Sequence, residues 1–129
     1  MKINYLEIKG FKSIQNVELK DVSPFMVLAG ANGTGKSNFV DALVFLSKVI
    51  DMGVSKAVSE FGGIENLIGP NHNARVIGYK IEFEIEKQIY QYEIRVTLNN
   101  IASRIKDESL KILKDGQIIF DSDKVRKEL

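Results

Sequence analysis

The chain has 129 residues, of which 44% are hydrophobic and 27% are charged, and its formal net charge is +1. This length allows one small domain or part of a larger one, and the apolar content excludes a disordered segment. The near-neutral charge gives no overall electrostatic reason to expect nucleic-acid binding, although a local patch stays open. The lack of cysteine excludes disulfides and thiolate sites, and one histidine argues against a His-based triad or a multi-histidine zinc site.

No apolar run reaches the roughly 18 residues that a membrane span needs. The amino terminus, Met1 to Tyr5, lacks the long apolar core of a signal peptide. These features predict a soluble domain in the cytoplasm.

The first predicted elements are two short strands that form a hairpin. They cover residues 2–9 and 15–19, and Gly10 is predicted to mark the bend between them. The alternation of the first strand puts Tyr5 on its apolar side and leaves Leu6 displaced.

The next two elements are a buried strand and a long helix. The continuous apolar run Phe25–Ala29 is typical of a strand buried on both faces, as in a parallel sheet. From Lys36 to Ile50 the apolar residues recur at helical spacing and cover most of the helix circumference. The helix is therefore expected to be largely buried. Its polar edge consists of Asn38, Asp41 and Lys48.

The remainder is predicted to be a short helix followed by β-structure. The helix runs from Ser55 to Glu60 and ends at Gly62-Gly63. Asp115-Gly116 supplies the positive φ angles of a hairpin turn. The predicted strands cover residues 79–86, 90–98, 101–105, 110–113 and 118–120.

A complete phosphate-binding motif, G-x-x-x-x-G-K-[ST], lies between the predicted buried strand and the long helix. It consists of Gly30, Ala31, Asn32, Gly33, Thr34, Gly35, Lys36 and Ser37. Glycines let backbone N–H groups approach phosphate oxygens, and the helix dipole adds positive potential there. Lys36 is expected to reach the β and γ phosphates, and the Ser37 hydroxyl to coordinate Mg²⁺. The alternative, a glycine-rich turn that binds nothing, is disfavoured by the strand–loop–helix context.

Two segments flanking this motif carry a family resemblance. Ile8 to Ser13 and Ser37 to Leu43 resemble the amino-terminal lobe of ABC-type ATPase heads. Within that class, the SMC, RecF and OLD-like AAA-type ATPases are most similar, because G-x-N-G-x-G-K-[ST]-N and a following D/E-A-[IL] recur in them. The resemblance is specific over residues 1–50 and architectural over residues 75–121.

The resemblance implies an α/β fold: a partial P-loop NTPase domain of the ABC-ATPase type. In it, an amino-terminal β-hairpin, the P-loop strand and helices occupy residues 1–60, and an antiparallel β subdomain occupies residues 75–121. Residues 1–129 would together form a single, incomplete ATPase head lobe. The implied cofactors are ATP and Mg²⁺.

The resemblance also assigns residues outside the central motif. Lys12 and Ser13 fall where such heads touch the base or phosphates of the nucleotide, and a solvated turn is the alternative. Asn32 matches the loop asparagine that orients the γ-phosphate or the attacking water. Asn38 is counted among the nucleotide-binding residues, although it and Asp41 equally fit positions that face solvent or cap neighbouring loops.

Hydrolysis in this class also needs a Walker B carboxylate and a signature motif. Ile118–Asp121 superficially matches Walker B, but it follows an Asp-Gly hairpin and is assigned to the antiparallel block. Phe61–Glu65 hints at a signature motif, but it lies too close to Lys36 in sequence and is rejected. No catalytic residue is identified, so ATPase activity is left open.

Two functional hypotheses follow. The first is an ATP-binding segment of an SMC/RecF/OLD-like ATPase that acts in DNA repair, chromosome maintenance or phage defence when complete. The second is a non-catalytic nucleotide-binding or interaction module from a truncated or split ATPase. In either case we expect exposed apolar surface and a partner, either the remainder of the head or a second protomer in an ATP-dependent dimer. DNA would be contacted through other parts of the complete protein.

Overall fold

The computed structural model describes residues 2–12, 14–22, 34–68, 75–99 and 101–124, with only the backbone described at positions 22 and 34–37. Six strands, two α-helices and one 3₁₀ turn form the described elements. They are β1 (Lys2–Phe11), β2 (Ile14–Val22), α1 (Thr34–Met52), α2 (Val54–Glu60), a 3₁₀ turn (Ile64–Asn66), β3 (Val76–Ile85), β4 (Gln88–Thr97), β5 (Arg104–Lys114) and β6 (Gln117–Asp121).

The six strands form one sheet in the order β2-β1-β3-β4-β5-β6, and every neighbouring pair is antiparallel. This agrees with the predicted hairpin and antiparallel block, and the expectation of a parallel sheet concerns a different segment. Two-residue turns join β3 to β4 and β5 to β6, a six-residue connection joins β4 to β5, and such short connections join antiparallel strands. The apolar run Phe25–Ala29, on which that expectation was based, lies outside the described residues.

The pairing of β1 with β3 unites the amino-terminal hairpin with the later β-structure. Ile8 lies opposite Tyr79, and Lys9 lies opposite Gly78. The predicted hairpin and the predicted antiparallel block are both present, but they are parts of the same sheet. No local pattern indicates this pairing, because about 70 residues separate Ile8 from Tyr79 and Lys9 from Gly78.

Strand β1 differs from its prediction in two details. Its register shifts between Ile3 and Tyr5, so that Leu6 is buried and the Tyr5 hydroxyl points to Glu7 on the opposite face. Gly10 does not form the bend. It lies within β1 at φ 79°, where an added Cβ would come within 2.3 Å of the Val76 carbonyl oxygen.

The β3–β6 region is a meander. The two strands predicted at 101–105 and 110–113 form one continuous strand, β5, which begins at Arg104 and leaves Ile101 96% exposed. The predicted Asp115-Gly116 turn is confirmed, with φ angles of 52° and 76°.

Helices α1 and α2 cover one face of the sheet and enclose the core. The core side chains of α1 are Phe39, Ala42, Phe45, Leu46 and Val49. On the other side of α1, Val44 is 41% exposed and Ile50 is 64% exposed. The expectation of a largely buried α1 therefore holds for one face only, the face that packs against the sheet and against Phe61 after α2.

Candidate functional site

The second half of the phosphate-binding motif forms the first turn of α1. The helix begins at Thr34, so the backbone of Gly35, Lys36 and Ser37 lies in that turn, which contains no acidic residue. First-turn N–H groups have no acceptor within the helix, and the helix dipole makes this end positive. The predicted residues Gly30, Ala31, Asn32 and Gly33 lie outside the described residues.

Helix α1 is fixed to the sheet by apolar packing and one buried hydrogen bond. The Tyr79 hydroxyl of β3 donates to the Ala42 carbonyl oxygen at 2.6 Å, and burial raises the pKa of this phenol. The Phe45 ring meets those of Phe11 and Phe61 at centroid distances of 6.0 Å and 5.5 Å. These contacts hold the body of the helix, and with it the position of its first turn.

The turn between β1 and β2 places Lys12 beside α1. The Lys12 N–H donates to the Leu67 carbonyl oxygen at 2.9 Å, and the residue has a positive φ of 50°. Its ammonium group lies 2.9 Å from Asp41 Oδ2 and within 6 Å of the ring centroids of Phe11 and Phe61. Lys12 therefore lies beside the second turn of α1. Ser13 lies outside the described residues.

Asp41 is the residue of this region whose contact the sequence did not identify. The sequence alone is compatible with a solvent-facing or loop-capping role for Asp41, whereas the structure pairs its carboxylate with Lys12. No local pattern links Asp41 to Lys12, because 29 residues separate the two positions. Asn38 is half-buried on the same helix.

The two segments that weakly match the Walker B and signature motifs form part of a strand and the end of a helix. Ile118–Asp121 belongs to β6, where Phe120 pairs with Ile112 and Asp121 with Lys111 in antiparallel register. This confirms its assignment to the antiparallel block. Within Phe61–Glu65, Gly62 and Gly63 adopt φ angles of 87° and 111° and terminate α2.

The donor set at this end of α1 suits an anion. It combines first-turn N–H groups, the absence of an acidic side chain in that turn and a lysine ammonium on the adjoining hairpin.

Across the described part of the chain, no group of three or more histidine or acidic side chains is arranged to hold a metal ion. Nor does any helix in the described ranges have the length and apolar character to cross a membrane.

Comparison with known proteins identifies the chain's relatives. Residues 25–129 match the family described as "AAA domain, putative AbiEii toxin, Type IV TA system". The chromosome partition protein Smc of Methanococcus voltae is 33% identical over 79 residues, which are 61% of this chain and 6% of that protein. The RecF DNA replication and repair protein of Thioalkalivibrio sulfidiphilus is 26% identical over 115 residues, which are 89% of this chain and 30% of that protein.

A vertebrate relative matches to a similar extent. Structural maintenance of chromosomes protein 2 of Gallus gallus is 35% identical over 78 residues, covering 59% of this chain. The chain thus spans less than a third of the length of each of these relatives. The family match covers most of the chain, and the Smc and RecF similarities agree with the resemblance carried by the motif. The chain belongs to the AAA domain family and is an SMC/RecF-like ATPase segment from the amino-terminal portion of that architecture.

Proposed function

We propose that this chain binds ATP with Mg²⁺ through Gly30–Ser37. The observation that carries the proposal is that the Gly-Lys-Ser end of a complete phosphate-binding motif forms the first turn of a helix anchored to the sheet. In this proposal the loop amides and Lys36 hold the β and γ phosphates, and the Ser37 hydroxyl joins the Mg²⁺ shell. Asn32, Asn38, Lys12 and Ser13 are proposed to complete the nucleotide site.

The proposed partner is the remainder of the ATPase head or a second protomer that closes on bound ATP. The exposed side of α1 supports this part of the proposal. Leu43, Val44 and Ile50 line an open concavity of about 790 Å³ on this side of the helix, where Ser47, Lys48 and Asp51 also lie. Exposed apolar side chains there, such as those of Val44 and Ile50, are suited to contact a partner. We further propose that the complete protein acts in the cytoplasm on DNA, in repair, chromosome maintenance or phage defence.

A second candidate function is nucleotide binding without hydrolysis by this chain alone. The observation that favours it is the position of Asp121 in β6, paired with Lys111 of β5. This aspartate was the only Walker B candidate that the sequence offered. A chain that holds the phosphate loop but relies on another polypeptide for its acidic pair would bind ATP and release no phosphate.

The test is ATP binding and phosphate release by the chain and by Lys36→Ala. Loss of a charge-assisted phosphate contact should weaken Mg-ATP affinity about 10- to 100-fold. Lys56→Ala, which removes an exposed lysine from α2, is the matched control and should bind as the unaltered chain does.

Phosphate release separates the two candidates. Turnover that Lys36→Ala abolishes supports a complete ATPase site, and binding without turnover supports the module. If the unaltered chain binds neither ATP nor ADP in the presence of Mg²⁺, both candidates fail.

A further inference from the structure

We propose that Asp41 is a positioning residue that acts through Lys12. It holds the Lys12 ammonium as a resting counter-ion, and a triphosphate bound at the start of α1 competes with it for that ammonium. The inference rests on the proposed ATP site and adds that the Lys12–Asp41 ion pair lowers the affinity of that site for ATP.

The first observation is the ion pair itself. Lys12 Nζ lies 2.9 Å from Asp41 Oδ2, and the side chains are 27% and 39% exposed. The contact joins the tip of the β1–β2 hairpin to the second turn of α1, across 29 residues of sequence. A pair this accessible to water is weak, so a stronger anion can displace the carboxylate.

The second observation is that the backbone at Lys12 is held while its side chain is not enclosed. The Lys12 N–H bonds to the Leu67 carbonyl oxygen, and Lys12 forms a parallel bridge with Ile68. Its φ of 50° is unusual for a residue with a Cβ and is maintained by these contacts. A change of partner therefore requires rotation of the lysine side chain alone.

The third observation is the position of Asp41 along α1. It lies one helical turn after Ser37, a rise of about 6 Å along the helix axis. The Lys12 ammonium, which contacts Asp41, is thus about one helical turn from the last motif residue. Because it has three N–H donors, it can also pass from carboxylate to phosphate without losing every hydrogen bond at once.

The aromatic rings define the resting position. The ammonium lies 5.6 Å from the Phe11 centroid and 5.9 Å from the Phe61 centroid. Cation–π attraction at such distances is modest at an exposed site. The Asp41 carboxylate is therefore the main group that competes with phosphate for the Lys12 ammonium.

The experiment measures Mg-ATP affinity for Asp41→Asn in two backgrounds, the unaltered chain and Lys12→Asn. Asparagine suits the second variant because it removes the charge and adopts positive φ readily. In the unaltered background, Asp41→Asn should tighten ATP binding about two- to fivefold, which is the strength of an exposed ion pair. In the Lys12→Asn background, which itself binds more weakly, Asp41→Asn should change nothing.

Two controls isolate the effect. Asp51→Asn removes an exposed carboxylate from the last turn of the same helix and should leave ATP affinity unchanged. Asp41→Glu retains the charge and should bind ATP as the unaltered chain does. High salt should reduce the gain from Asp41→Asn, because screening weakens the original pair.

Several outcomes would overturn the inference. An equal gain in both backgrounds would mean general repulsion of phosphate by Asp41, and unchanged or weaker binding in the unaltered background would mean that Asp41 does not compete. If ATP binding depends on Lys36 while Asp41→Asn has no effect, only this inference fails. If the unaltered chain does not bind ATP, the proposed function fails first.

Discussion

The two faces of the sheet differ in what they contribute. The face toward α1 is apolar, and it is closed where the helices cover it: Leu6, Ile8, Tyr79, Ile94 and Val96 are all buried there. The opposite face carries charged side chains, most of them exposed. Because successive residues of a strand point to opposite faces, the same strands build both surfaces.

The charged face is organised by ion pairs across neighbouring strands. Lys80 of β3 lies 4.0 Å from Glu93 of β4, and Arg95 of β4 forms a two-point contact with Asp107 of β5. The Arg95 guanidinium holds the pKa of the Asp107 carboxyl below its ordinary value. These side chains border a 450 Å³ concavity beside Gly78, which has no side chain to fill it.

Burial is the physical difference between the faces. Burial of apolar surface stabilises the folded state by about 25 cal/mol per Å². An exposed ion pair adds little to the stability, because its two charged groups are well solvated by water when they are apart. The stability of the fold and the position of α1 therefore depend on the apolar face. The charged face should tolerate change.

The largest expected effect is that of Phe45→Ala on the apolar face. The ring is fully buried between α1, α2 and β1, and its removal leaves a cavity beside Phe11 and Phe61. We expect the free energy of unfolding to fall by about 3–5 kcal/mol, measured by denaturant titration. Phe120→Ala, at a ring 39% exposed on β6, is the control. Similar losses for both variants would contradict the distinction between packed and exposed apolar residues.

A smaller effect is expected from Tyr79→Phe, which tests the polar contact within the apolar face. The change removes only the hydroxyl that donates to the Ala42 carbonyl oxygen. The free energy of unfolding should fall by about 1 kcal/mol, because a buried hydrogen bond is lost without loss of the ring. Tyr90→Phe removes a hydroxyl that contacts Gln88 in a half-buried position and should cost less. The same titration measures both, and a larger loss for Tyr90→Phe would refute the assignment.

The smallest effect is expected at Glu7, which is 9% exposed on the charged face. The Tyr5 hydroxyl, and then Lys9 at 3.2 Å, hold the pKa of Glu7 below its ordinary value of 4.5. The unfolded chain therefore binds this proton more readily, and the stabilisation by Glu7 is present above pH 4.5 and lost as pH falls through the lowered pKa.

Thermal unfolding of Glu7→Gln across this pH range checks the prediction. The variant should be slightly less stable than the unaltered chain at neutral pH, and the difference should vanish in acid. Glu86→Gln, at an exposed position in the β3–β4 turn, serves as the control. A difference between the Glu7 variant and the unaltered chain that stays constant with pH would show that the effect is not electrostatic.

Much of the fold could be predicted where the signal is local. The strands predicted at 79–86 and 90–98, the helix α1 and the Asp115-Gly116 turn each follow from neighbouring residues, and each is present in the structure. The bulge near Tyr5 and the merging of two predicted strands into β5 were missed. Both depend on how a strand pairs with its neighbour, which a single strand's pattern does not contain.

The candidate site also has features that local sequence predicts and a contact that it does not. The phosphate-binding motif and its helix were evident from glycine spacing and an apolar period, because backbone conformation there follows from adjacent residues. Asp41 was not evident as a partner of Lys12, since both residues fit ordinary surface positions when each is considered alone.

The amino-acid sequence alone determined the element types, the motif and the family. Only the tertiary structure decided that β1 pairs with β3, that one sheet face is covered by α1, and that Lys12 meets Asp41. The reason is that these contacts join residues far apart along the chain. Their formation depends on the register and packing of whole strands and helices, and no local pattern encodes that arrangement.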